Sequence, residues 1–174
     1  MRTTVQATGS AAAATPWVPV SDSQNPFNVE IWGFPDSAFT ATNYQLQVSG
    51  DDPQTTRQVT FTTSGTTATV TDTAHGLKSG DSIVMTGTGS SADVSADITV
   101  VDVNTYTYTT GASPPAKGIG KVASVRWVSL GSAITTGRSK TLLQEPCRVI
   151  RAVLSGWSVG ILNLLVIQAA SRTN

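Results

Sequence analysis

Tyr44-Gln45-Leu46-Gln47-Val48 decides the fold class: Tyr44, Leu46 and Val48 share one face of an extended chain, and Gln45 and Gln47 share the other. Such period-2 alternation marks a strand with one face in a core and one towards water. Gly50-Asp51-Asp52-Pro53 follows as a tight turn. The same unit recurs outward from it. Strands are expected at Thr3–Thr8, Trp17–Val20 and Phe27–Trp32 on the N-terminal side, with a linker at Gly9–Thr15 and a turn at Ser21–Pro26. No window carries apolar residues at i, i+3, i+4 and i+7 over three turns, so the chain reads as all-β.

The middle of the chain changes texture. From Arg57 to Lys121 threonine is dense and large apolar residues are few. Strands are expected at Val59–Thr63, Thr67–Thr71, Ser82–Thr86, Ile98–Val103 and Tyr106–Thr109, separated by Ser64-Gly65, His75-Gly76, Ser79-Gly80-Asp81 and the Pro114-Pro115 elbow. That is the size of a small barrel, near the lower limit for a self-supporting core. After Lys121 the larger apolar groups return, in Val125–Leu130, Val149–Leu154 and Ile161–Gln168, with a turn at Thr136-Gly137. The economical architecture is a discontinuous, jelly-roll-like β-sandwich over residues 1–56 and 122–174, interrupted by a small β-barrel over 57–121.

Composition narrows the function. Of 174 residues only 13% are charged, eleven basic against eleven acidic, which argues against a nucleic-acid binder with its clustered basic excess. One cysteine excludes an internal disulfide framework and a cysteine-built metal cage, and one histidine removes most metalloenzyme and triad layouts. The N-terminus has no apolar segment behind Arg2, and the longest apolar run, Ile161–Ala170, is half of a membrane helix of about 20 residues. The expectation is a cytoplasmically made protein with a reduced thiol and no membrane partner.

Each chemical motif has a structural reading. His75, in Ala74-His75-Gly76-Leu77, is expected to hydrogen-bond nearby backbone and order the entry to Ser82–Thr86; a general base would need partners that no spacing supplies. Thr86-Gly87-Thr88-Gly89-Ser90-Ser91 lacks the Gly-Lys-Ser/Thr ending of a phosphate loop. Lys117-Gly118-Ile119-Gly120-Lys121 fails likewise, and both read as hairpin loops. Asp93, Asp97 and Asp102 lack the spacing of an EF-hand loop, and Asp51-Asp52 reads as a turn; a calcium site is the alternative for these carboxylates. Cys147 opens an apolar strand and reads as a buried thiol. Neither a cofactor nor a resident metal is expected.

Self-association is expected at the C-terminal strand. Ile161, Asn163, Leu165, Ile167 and Ala169 fall on one face, and Leu162, Leu164, Val166, Gln168 and Ala170 on the other. Both faces are mostly apolar, so one should line the sandwich and the other meet a second copy. Leu162, Leu164 and Val166 are the candidate contact residues. Arg151 joins them if it forms an inter-subunit ion pair; otherwise Arg148 and Arg151 pack their stems along the sheet and reach water. A dimer or trimer follows from closed symmetry, and the trimer is the expected state.

Two resemblances complete the reading. Trp17-Val18-Pro19-Val20, Asn25-Pro26-Phe27-Asn28-Val29, Tyr44–Val48, Asp51-Asp52-Pro53, Arg148-Val149-Ile150-Arg151-Ala152 and Leu165-Val166-Ile167-Gln168 resemble a family of short accessory virion proteins of tailed bacteriophages, each a single β-sandwich. Thr69-Val70-Thr71, Ala74-His75-Gly76-Leu77, Ser79-Gly80-Asp81-Ser82-Ile83, Thr99–Tyr108 and Gly118-Ile119-Gly120 resemble the small β-barrel modules of phage tail and structural proteins. Ser95-Ala96-Asp97-Ile98 departs from that module, which usually has an Asn-Gly turn there. The resemblances imply a non-enzymatic virion protein. Its expected role is capsid decoration, as a cement protein with the major capsid protein and its own copies as partners. A neck or tail accessory protein and a carbohydrate-binding receptor module are the alternatives, and a glycan hydrolase is the least supported.

Overall fold

The computed structural model describes residues 2–8, 14–23, 28–36, 43–134, 138–155 and 160–168. Among these residues every regular element is a strand, and no helix is long and apolar enough to cross a membrane. The chain forms two compact units, Met1–Gly50 with Val128–Asn174, and Asp51–Trp127.

The first unit begins with β1 (Arg2–Thr8), β2 (Val18–Pro19), β3 (Val29–Pro35) and β4 (Asn43–Ser49). The second holds β5 (Arg57–Ser64), β6 (Thr67–Thr71), β7 (Ser82–Thr86), β8 (Ser95–Asp97), β9 (Thr99–Asp102), β10 (Thr105–Thr109) and β11 (Lys117–Val125). The chain then returns to the first unit with β12 (Val128–Ser129), β13 (Ser139–Leu143), β14 (Val149–Ser155) and β15 (Ile161–Gln168).

Two four-stranded antiparallel sheets make the first unit a sandwich: β1-β15-β3-β13 is the first sheet and β12-β4-β14-β2 the second. Their inner faces share one core. Val29, Ile31, Leu162, Leu164 and Val166 come from the first sheet, and Val18, Tyr44, Leu46, Ile150, Ala152 and Leu154 from the second. Gly33 leaves the space that the Tyr44 ring fills: a Cβ there would lie 2.8 Å from Tyr44 Cε2. The Tyr44 hydroxyl donates to Ser139 Oγ at 2.6 Å, so the phenol bridges the core to β13.

The second unit is one seven-stranded sheet, β8-β7-β11-β5-β6-β10-β9, curled into a nearly closed barrel. Val59, Phe61, Val70, Ile83, Met85, Tyr106, Tyr108 and Val122 fill it. Lys117–Lys121 is not a hairpin loop; it is the first half of β11. Its glycines are there for close packing, since a Cβ on Gly118 would lie 2.8 Å from the Phe61 ring and one on Gly120 would lie 2.6 Å from Met85 Sδ. The strand expected at Val125–Leu130 does not form as one piece either. β11 runs on through Val122 to Val125, and Trp127 is buried with its backbone N–H on Asp81 Oδ1 (3.1 Å) and its indole N–H on Ser82 Oγ (2.7 Å). Arg126 closes the base of the unit by clasping Asp51, Nη2 to Oδ1 at 2.7 Å and Nε to Oδ2 at 3.0 Å. The units therefore divide at 50/51 and 127/128, outside the junctions at 56/57 and 121/122 that composition suggested. Val128 pairs with Val48, so the chain leaves and re-enters the sandwich on adjacent strands.

Ala14 bridges Val153, and most of the linker expected at Gly9–Thr15 lies outside the described residues. Part of the Ser21–Pro26 turn, the Thr136-Gly137 turn, Phe27, Ala169 and Ala170 lie outside them too.

Candidate functional site

The outer face of the first sheet is the most chemically distinctive surface of the sandwich. Register builds it strand by strand: Leu165 of β15 stands opposite Trp32 of β3, which stands opposite Lys140 of β13, and Ile167 stands opposite Glu30, which stands opposite Leu142. On the other flank Arg2, Thr4 and Gln6 of β1 lie beside Ile167, Leu165 and Asn163. Strand parity puts all of these on the side away from the core.

Trp32 and Phe34 are half-buried neighbours on this face, their rings parallel to within 1° with centroids 5.8 Å apart. Lys140 Nζ sits 4.9 Å from the centre of the Trp32 ring, and the Arg138 guanidinium 5.7 Å from that of Phe34. Both are cation–π distances. Glu30 accepts from Lys140 Nζ at 2.9 Å and from the Trp32 indole N–H at 3.2 Å. The Lys140 bond first, and then the indole bond, holds the Glu30 carboxyl below its ordinary range. An amide relay continues towards β1: Asn163 Nδ2 donates to Phe34 O at 3.3 Å, and Gln6 Nε2 donates to Asn163 Oδ1 at 2.6 Å. Half-buried aromatics, aliphatics and an ordered cation row make a surface suited to docking.

The residues expected to touch a second copy lie elsewhere. Leu162, Leu164 and Val166 are all 0% exposed and belong to the sandwich core, so the outward face of β15 is Ile161, Asn163, Leu165 and Ile167. Both faces of that strand are apolar in sequence, and only the pairing with β1 and β3 selects which one turns in. Arg151 does not reach water. It is 3% exposed, with Nε donating to Gln47 Oε1 at 2.9 Å, because Gln47 stands directly opposite on β4 and supplies an acceptor. Arg148 instead forms a half-exposed pair with Asp22 at 2.7 Å.

Glu30, Trp32 and Phe34 share one parity, and the carboxylate among them was the available sign that this parity faces out.

In the second unit the motifs resolve into turn chemistry. His75 Nδ1 accepts from Leu77 N–H at 2.9 Å, so Nε2 carries the proton and donates to Asp102 O at 2.9 Å, while the ring stands edge-on to Tyr106. The amides that a phosphate would need at Thr86–Ser91 are already satisfied: Asp93 Oδ1 accepts from Thr88 N–H at 2.9 Å and Oδ2 from Gly89 N–H at 3.2 Å. Burial pushes the Asp93 carboxyl up, but bonds from Thr88, Gly89 and Gly87 outweigh it and leave the group below its ordinary value. Asp102 accepts from Asn104 N–H and Asp52 from Gln54 N–H, each serving its own turn, while Asp97 accepts from the hydroxyl of Ser82, its partner across the β7–β8 ladder. Among the described residues no three His, Cys, Asp or Glu side chains gather in a group that could hold a metal ion.

Cys147 is 3% exposed, and burial pushes its thiol up to about 12. The native thiol should therefore react with a disulfide reagent at least about a hundredfold more slowly than the same thiol in denaturant. Equal rates measured with and without denaturant would contradict its burial.

No protein-family model matches the chain, and no curated protein is similar to it. Among solved structures, a chain described as phage phi92 endosialidase is matched at a TM-score of 0.29 and 17% identity, over 62% of this chain. The match spans 14% of that chain's length. A likeness this loose bears on neither fold nor activity.

Proposed function

We propose that the protein is a non-enzymatic structural component of a tailed-phage particle, a capsid decoration protein that docks through the outer face of its first sheet. The observation that carries this reading is the Trp32–Phe34 pair with Lys140 and Arg138 over its rings, bordered by Leu165, Ile167 and the half-exposed Leu142. Aromatic and arginine anchors among aliphatics are the composition of protein–protein contact centres. The sequence resemblances to phage sandwich and barrel modules supply the virion context. The partners in this reading are the major capsid protein and further copies of the chain.

Quantitative mass spectrometry of purified particles tests it. Decoration requires a copy number comparable with the major capsid protein, and a handful of copies makes the protein a neck or tail part. Absence from particles overturns the reading.

The half-buried aromatic pair on this outer face also favours a second reading, a glycan-binding receptor module. A sugar would have to displace Lys140 and Arg138 to stack on these rings, whereas a protein partner can keep both cations in place. Saturation-transfer NMR with host-surface glycans separates the two.

A further inference from the structure

Edge strands invite pairing with another chain unless they are short, charged or interrupted by proline. Most sheet edges in this chain are blunted in one of those ways. In the sandwich, β2 and β12 have two residues each, β2 includes Pro19, and β13 presents Lys140. In the barrel, β8 has three residues and ends at Asp97, and β9 has four and ends at Asp102. β1 is the exception. It runs for seven residues, Arg-Thr-Thr-Val-Gln-Ala-Thr, has no proline, and carries one charge at its start. β15 pairs with it on one side, and among the described residues no strand pairs with the other.

We propose that two copies of the chain join edge to edge through β1, antiparallel about a two-fold axis at Thr4. The occupant is argued from self-complementarity. With Thr4 opposite Thr4 of the partner subunit, Arg2 faces the partner's Gln6 and Thr3 faces the partner's Val5. Arg2, Thr4 and Gln6 lie on the outer face, and Val5 packs against the core rim, so the register keeps both faces in phase. The only charge on the strand meets an acceptor and not its own kind. The acceptor is oriented for it. Phe34 O fixes the Asn163 amide, Asn163 Oδ1 engages Gln6 Nε2, and the carbonyl end of Gln6 is the end left for the partner's Arg2. Arg2 and Gln6 are both exposed. Antiparallel pairing of identical edges uses both edges at once and closes as a dimer, in place of the expected trimer. It would fuse the two first sheets into one eight-stranded sheet with a continuous outer face. This inference rests on strand order and hydrogen bonding and does not depend on the virion reading.

Register-specific cross-linking of the full chain tests it. Directly opposed residues in an antiparallel pair approach within disulfide reach, and the native thiol, Cys147, is buried. Thr4→Cys should cross-link to a covalent dimer under mild oxidation. Arg2→Cys and Gln6→Cys should not cross-link alone, but should do so with each other when mixed. In sedimentation equilibrium, Arg2→Glu should weaken the dimer by about tenfold or more through lost charge-assisted bonds, while Gln6→Glu should strengthen it. The proposal falls if the unmodified chain sediments as a monomer at high micromolar concentration. It also falls if Thr4→Cys cross-links no faster than Arg2→Cys alone. A monomeric chain that is abundant in particles would sink the edge pairing alone. A dimer absent from particles would sink only the virion reading.

Discussion

Leu164→Asp should abolish the cooperative unfolding transition of the sandwich while the barrel still melts. Leu164 is 0% exposed between the two sheets, among Ile31, Tyr44 and Leu46 in one apolar cluster. Truncating a buried leucine to alanine alone costs about 2–5 kcal/mol. A carboxylate adds a desolvation penalty of several kcal/mol, or forces its own protonation. A domain stabilised by about 5–15 kcal/mol does not survive that sum. The barrel has a separate core, filled by Phe61, Met85 and Tyr106 among others, so calorimetry should lose one transition of two. Its neighbour gives the contrast. Leu165 points outward, and Leu165→Asp should cost only about 1 kcal/mol while impairing docking in the proposed function. If Leu164→Asp melted like the unmodified chain, the inward assignment of this β15 face would be wrong.

Asp72 governs the second large effect, this time in the barrel. Its carboxylate is 7% exposed and accepts from Arg57 Nε at 2.9 Å, from Arg57 Nη2, and from the Tyr106 hydroxyl at 3.4 Å. Arg57 also donates to Ser124 Oγ at 2.8 Å, so the cluster ties β5, β10 and β11 together. The two partners differ in exposure: Arg57 remains 40% exposed. Asp72→Ala lets the guanidinium turn to water and strands mainly the Tyr106 hydroxyl, at a cost of about 2–3 kcal/mol, below the 3–5 of a fully buried pair. Arg57→Ala should cost more, because it leaves a carboxylate in the interior with no cation. Burial first, and then the Asp72 charge, keeps the Tyr106 phenol well above its ordinary value, so it stays a neutral donor to that carboxylate. Urea unfolding of the two variants checks the order. If Asp72→Ala were the more destabilising, the asymmetry argued from exposure would fail.

Local physics was legible in this chain. Thr67–Thr71 and Ser82–Thr86 form strands with the expected bounds, and Tyr44–Val48 extends by one residue at each end. Glycines mark the turns at Gly65, Gly76 and Gly80, each at positive φ, a conformation that a Cβ penalises. Period-2 patterning and glycine punctuation act within a few residues, so the sequence carries them without help from distant parts. The same is true of His75, whose ring satisfies a backbone amide two residues away, and of the carboxylates that cap their own turns.

What the sequence left open was decided across strands. Lys117–Lys121 looks like a loop because its glycines lack β-propensity, yet Phe61 and Met85 need the space they leave. Ser139–Leu143 offers little local strand signal and becomes β13 because β3 presents a free ladder opposite it. The register of β15 against β3 turned Leu162, Leu164 and Val166 inward, brought Leu165 beside Trp32, and left the aromatic pair on the outer face. A one-residue slip would have reversed each of these outcomes at almost no change in local propensity. Most strands here are set by neighbours in the chain, and β13 and the first half of β11 by the ladders beside them. Face, burial and the docking surface are set by neighbours in the sheet, because a period-2 chain that is apolar on both sides has no internal reason to prefer either.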